Sequence, residues 1–185
     1  MKNRALKLLF IWNGVFMLAI SLLGPLYAVY VEKLGNGILI ISASWSVFLF
    51  STTFFTFLVS RLGEKIRKDH LLMANYLIRA FVWLGFIFIG NIPQLIVLQI
   101  FLGLAEALGT PAFEAMFAEH IDKNKDIEEY ADWELIQNIV MAIGVLLGGL
   151  IVNSFGFKYL FSFMSILAVI SFLGILFKPK KVAIE

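Results

Sequence analysis

Five residues between Pro93 and His120 could do chemistry together. Gln99, Gly103, Glu106, Thr110 and Glu114 recur at spacings of 4, 3, 4 and 4 residues. At about 100° per residue they share an arc of roughly 80° on one helix face. The surrounding segment, LIVLQIFLGLAEALGTPAFEAMFA, is long and apolar enough to cross a bilayer. A carboxylate near the middle of such a helix is costly unless it faces protein or water, which marks it as functional by default. Its proton affinity follows its surroundings, so Glu106 is a candidate proton carrier, and when ionised it suits a cationic substrate. The bland alternative is a permanent pairing of Glu106 with Arg79, or a hydrogen bond to Asn13.

These residues need elements to position them, and the composition says which kind. Hydrophobic residues make up 61% of the 185-residue chain, charged residues only 15%, and mean hydropathy is +0.90. Such values lie outside the range of soluble domains. Six apolar stretches, at about 6–31, 37–60, 70–90, 93–118, 131–153 and 157–177, each approach the ~20 residues that span a bilayer. Nothing shows the ~10-residue alternation of a membrane barrel. The expected fold is an all-α, multi-pass membrane protein: one domain over 1–185 with six transmembrane helices. The basic cluster at Lys2, Arg4 and Lys7 precedes a run too long for a signal peptide and is taken as the start of span 1.

Charge distribution orients the chain. Lys2, Arg4, Lys7, Arg61, Lys65, Arg67, Lys68, Lys123, Lys125, Lys178, Lys180 and Lys181 would lie on one side, against Lys33 and Lys158 on the other. By the positive-inside rule both termini are cytoplasmic, in the cytoplasmic (inner) membrane. External links at Glu32–Asn36, Asn91–Ile92 and Ser154–Gly156 are short. The one sizeable loop, 119–130, reads as a solvated interfacial segment.

No cysteine occurs, and His70 and His120 only flank spans, so no metal site is expected. No phosphate-binding loop, nucleotide fingerprint or catalytic triad spacing is present. The chain reads as a non-enzyme with no cofactor and no nucleic-acid partner. Its partners are the lipid bilayer and a small-molecule substrate, and protons are candidates for coupling.

A weak internal repeat accompanies this pattern. Val59-Ser60-Arg61-Leu62-Gly63-Glu64-Lys65 parallels Val152-Asn153-Ser154-Phe155-Gly156-Phe157-Lys158, and spans 1 and 4 each carry an interruption, at Gly24-Pro25 and Gly109-Thr110-Pro111. Paired interruptions of this kind are expected of two three-helix units in inverted topology, here about 1–90 and 91–185.

At these residues the chain resembles the major facilitator superfamily, and specifically one six-helix half of its usual twelve. The cytoplasmic 2–3 loop motif G-x-x-x-D-R-x-G-R-K aligns with Thr56–Lys65, where Arg61, Gly63 and Lys65 match and Thr56 and Ser60 replace the Gly and Asp. The fourth-span motif R-x-x-x-G appears as Gln99…Gly103 without its Arg, and the fifth-span motif G-P-x-x-G-G as Gly144–Gly149 without its Pro. The lost Arg, Asp and Pro depart from the family's proton-coupled and antiport patterns. The resemblance implies that spans 1 and 4 line a cavity, with Asn13, Met17, Ser21, Gly24 and Tyr27 facing Gln99, Glu106 and Thr110. It also implies a cytoplasmic latch of Arg61, Gly63, Lys65 and Arg67 against Glu114 and Glu119, with ordinary interfacial charge as the alternative.

Six spans with both ends inside let two copies lie parallel about a twofold axis and rebuild twelve helices. The expected function is a secondary transporter subunit for a small organic molecule, working as a parallel homodimer. The alternatives are one half of a split transporter with a different partner, or a membrane scaffold. Remaining expectations are structural. Arg79 forms an ion pair or snorkels to the interface; Gly144 and Gly148 allow close helix approach, to span 1 or to a partner. The rows Ser42/Ser46 and Thr52/Thr56/Ser60 hydrogen-bond between helices. Tyr27, Tyr30, Trp45, Trp83 and Trp133 belong to interfacial belts, with Tyr27 also able to reach the cavity.

Overall fold

The computed structural model describes residues 4–34 and 37–177, with the backbone alone at 4, 5 and 64. The charges expected at Lys2, Lys178, Lys180 and Lys181 lie outside the described residues. Among those described there are seven α-helices: α1 (Arg4–Leu23), α2 (Leu26–Lys33), α3 (Ile38–Leu62), α4 (Lys68–Phe86), α5 (Ile92–His120), α6 (Asp126–Phe155) and α7 (Phe157–Leu176). A single 3-10 turn, Gly63–Lys65, links α3 to α4. Five helices (α1, α3, α5, α6 and α7) are long and apolar enough to cross a membrane. The 19-residue α4 is not in that set, because Asp69, His70, Asn75 and Arg79 dilute its apolar run.

The breaks follow local chemistry. Gly24, at φ +22°, takes a backbone turn that a side chain would strain, and Pro25 lacks the N–H that would continue the ladder, so α1 stops and α2 starts anew. Pro111, by contrast, sits inside an unbroken α5, whose neighbouring helices hold its line. Asn91 caps α5 by accepting from the Gln94 N–H at 3.0 Å, while the Gln94 side chain accepts from the Gly90 N–H at 2.9 Å. Gly156, at φ +88°, is the whole joint between α6 and α7, and its N–H bonds back to the carbonyls of Ile151 and Val152. The loop expected over 119–130 is shorter than that. α5 runs to His120 and α6 starts at Asp126, whose first turn gathers Asp126, Glu128 and Glu129 at the positive end of the helix.

Packing follows two triplets. α5 packs against α3 and α4, α1 packs against α6 and α7, and α4 meets α7 across the middle. Glycines permit the closest approaches. Gly103 meets the α3 backbone at Phe48 and Thr52, and Gly144 and Gly148 meet Ser21 and the Leu22 carbonyl of α1. That pair therefore serves α1–α6 packing. The aromatic expectation is corrected: Tyr27, Tyr30, Trp83 and Trp133 are buried, and of the five only Trp45 is exposed. Their rings fill the core, where Tyr30 donates to the Phe86 carbonyl at 2.6 Å. The hydroxyl rows of α3 are corrected likewise. Ser46, Thr52 and Ser60 bond carbonyls of their own helix, at Ser42, Phe48 and Phe57.

Candidate functional site

Two helices bring the charged pair together. Arg79 on α4 is 6% exposed and forms an ion pair with Glu106 on α5. Its Nε donates to Asn75 Oδ1, one turn away, at 3.1 Å, and its guanidinium lies 5.6 Å from the centre of the Phe16 ring on α1. The other oxygen of Glu106 accepts from Thr110 Oγ1 at 2.7 Å. Gly109 lets α5 come close here, for a Cβ at this position would overlap the Asn75 side chain. Arg79 thus does not snorkel; it has a partner at the same depth.

Two cavities reach the pair, one lined by Glu106 and the other by Arg79. The inner one, about 390 Å³, lies between α1 and α5, with α4 behind it and α6 at its mouth. Asn13, Met17, Glu106 and Thr110 are among the residues that line it, together with Glu114. The smaller one, about 120 Å³, reaches Arg79 from the other side and is lined by Gly24, Tyr27, Trp45 and Gln99 among others. A directed hydrogen-bond chain runs beside it. Ser44 Oγ donates to the Ile41 carbonyl at 2.9 Å, so it accepts from Tyr27 OH at 2.7 Å, which accepts in turn from Gln99 Nε2.

The remaining stripe residues go elsewhere. Ser21 is buried against Gly144 and donates to the Leu18 carbonyl at 2.9 Å, and Gly103 faces α3. Both serve packing. Sequence reasoning missed the α6 contribution of Trp133, Glu134 and Gln137, and the Asn13–Tyr76 contact, in which Tyr76 OH donates to Asn13 Oδ1 at 2.9 Å. The i, i+4 pair Asn75/Arg79 was the available signal for α4.

At the far end of α5 the charges are paired differently from the expected latch. Glu119 is held by Lys68, Arg67 reaches Asp69 at 2.9 Å, and Arg61 lies over the Phe57 ring at 5.5 Å. Gly63 and Lys65 form the 3-10 turn beside them, and Glu114 is exposed at the cavity mouth. His120 Nδ1 bonds the Met116 carbonyl at 2.7 Å. Among the described residues no three His, Asp or Glu side chains gather into a metal site.

Fold and site together define a polytopic helical membrane protein with a polar-floored cavity among its spans. The chain belongs to the major facilitator superfamily, whose family model matches residues 9–184. It is similar to an uncharacterised MFS-type transporter of Bacillus subtilis, YitZ, at 28% identity over 83% of this chain and 93% of that protein. It is also similar to two longer uncharacterised MFS-type transporters. YuxJ of the same bacterium is 29% identical over 92% of this chain and 45% of its own length. MJ1560 of Methanocaldococcus jannaschii is 24% identical over 87% of this chain and 42% of its own length. The chain thus spans nearly all of one relative and less than half of the other two.

Proposed function

We propose that this chain is a secondary transporter subunit that moves a small organic molecule by alternating access, as a parallel homodimer. The observation that carries the reading is the inner cavity, lined by Glu106 whose charge is paired with the buried Arg79, in a chain of this superfamily. Six spans form when α1 with α2 counts as one and α4 crosses with its Arg79 charge offset by Glu106. The packing supports two inverted three-helix repeats. α1 sits on α6 and α7 as α5 sits on α3 and α4, and the third members, α4 and α7, meet each other. The basic residues support cytoplasmic termini in the inner membrane.

In this reading Glu106 carries the proton. Arg79 offsets its charge in the present arrangement. Lys68–Glu119 ties α4 to α5 at the cytoplasmic end and acts as the latch. A second reading rests on the relatives of which this chain covers 45% and 42%: the complementary half is then a different chain or segment.

The test is uptake into proteoliposomes. Glu106→Gln is expected to abolish uptake or remove its pH dependence, while Glu114→Gln, at the mouth, leaves the pH dependence of uptake in place. Undiminished uptake with an unchanged pH profile in Glu106→Gln would make the ion pair purely structural.

A further inference from the structure

The inner cavity carries more information than its floor. Three carboxylates line it (Glu106, Glu114 and Glu134), and among the described residues no lysine, arginine or histidine does. Of the three, Glu106 is the one paired with a buried cation among the described residues. Glu114 and Glu134 are both exposed, and Glu134 has a long hydrogen bond from Asn138 Nδ2 at 3.4 Å. Between these charges the walls are aromatic. Phe113 and Trp133 stand 5.0 Å apart between ring centres, and Phe117 and Tyr130 stand 4.6 Å apart. Phe113, Phe117 and Trp133 are buried against one another, and Tyr130, one turn from Glu134, is the exposed ring. A ring face beside carboxylates attracts cations through the quadrupole and through net charge.

An independent observation points to a ligand in the same cavity. Asn13 is 2% exposed, its Oδ1 is taken by Tyr76, and its Nδ2 has no hydrogen-bond partner. A buried amide donor without a partner is costly, and here it belongs to a residue that lines the cavity. An incoming acceptor would complete it.

We propose that the inner cavity takes an aromatic organic cation bearing a carbonyl-type acceptor: the cation lies among Glu114, Glu134 and the exposed Tyr130 ring, and the acceptor meets Asn13 Nδ2. The proposal rests on the transporter reading and deepens it by naming the substrate class. An anion would meet uncompensated carboxylates, and a polyhydroxylated neutral solute would lose hydration against aromatic walls.

The probe is benzoylcholine, a permanently charged aromatic ester, against its neutral isostere 3,3-dimethylbutyl benzoate, in which carbon replaces the quaternary nitrogen. Binding to the full chain in nanodiscs is measured after subtraction of empty nanodiscs. Saturable binding of the cation alone is expected, weakened about three- to tenfold by Glu134→Gln, as for loss of one partly solvated charge contact. Glu134 is exposed, so the fold is retained, and an unchanged melting temperature checks this. Equal binding of the isostere, or binding unaffected by both Glu134→Gln and Glu114→Gln, would overturn the proposal. Saturable binding without uptake into proteoliposomes would sustain the substrate class and defeat the transporter reading. Uptake of an anion or neutral solute with no binding of the cation would do the reverse.

Discussion

Arg79 and Glu106 lie on different helices, 27 residues apart, yet each is the reason the other is tolerated. A charge in a membrane span is costly alone, and removing one partner of a buried pair leaves the other uncompensated. Glu106→Leu, which strands the buried Arg79, should therefore destabilise the protein by about 3–5 kcal/mol, Arg79→Leu by less because a third of the Glu106 side chain is exposed, and the double replacement by less than Glu106→Leu. Thermal unfolding of the four proteins in one detergent checks this; additive losses would show that the pair contributes no coupling. The acid was legible from its place on a polar stripe. Arg79 was one of two partners the sequence offered, and the choice between it and Asn13 was not legible, because helical periodicity sorts residues onto faces of one helix and says nothing of the face opposite. Ser21 shows the same limit: it shares a helical arc with Asn13 and Met17, yet packs against Gly144.

At the scale of the element, the α1–α6 contact depends on glycines that admit backbone. Gly148 faces the Leu22 carbonyl, which cannot swing away as a side chain could, whereas a Cβ on Gly149 would meet nothing within 4 Å. Gly148→Val should cost about 1–3 kcal/mol or more through overpacking, and Gly149→Val should fall within about 0.5 kcal/mol of the parent. Melting temperatures in detergent decide it, and equal effects would show that the close approach is not maintained in the membrane. Helix ends were the most legible part of these elements, since Gly24-Pro25, Asn91 and Gly156 act within a few residues of themselves. Hydroxyl rows were read less well. A serine or threonine in a helix always has its own carbonyl three or four residues back, and on α3 Ser46, Thr52 and Ser60 took it.

For the molecule as a whole, the proposal to be tested is that two copies of this six-span chain pair in parallel about a twofold axis. Native mass spectrometry from nanodiscs should show dimers, and cysteine cross-linking of this cysteine-free chain should join equivalent ends on one membrane face. Monomers alone, or cross-links between opposite ends, would defeat the homodimer. The amino-acid sequence by itself determined membrane residence, all-α class, the main breaks and the superfamily. These follow from hydropathy, 3.6-residue periodicity and turn chemistry, all of which act along a short stretch of chain. Only the tertiary structure decided that Arg79 meets Glu106, that Tyr27 accepts from Gln99 72 residues away, and that α6 closes the cavity mouth with Trp133 and Glu134. Those contacts depend on which helix faces pack together, and packing in a bilayer is set by shape and polar pairing between distant segments, which local pattern does not encode.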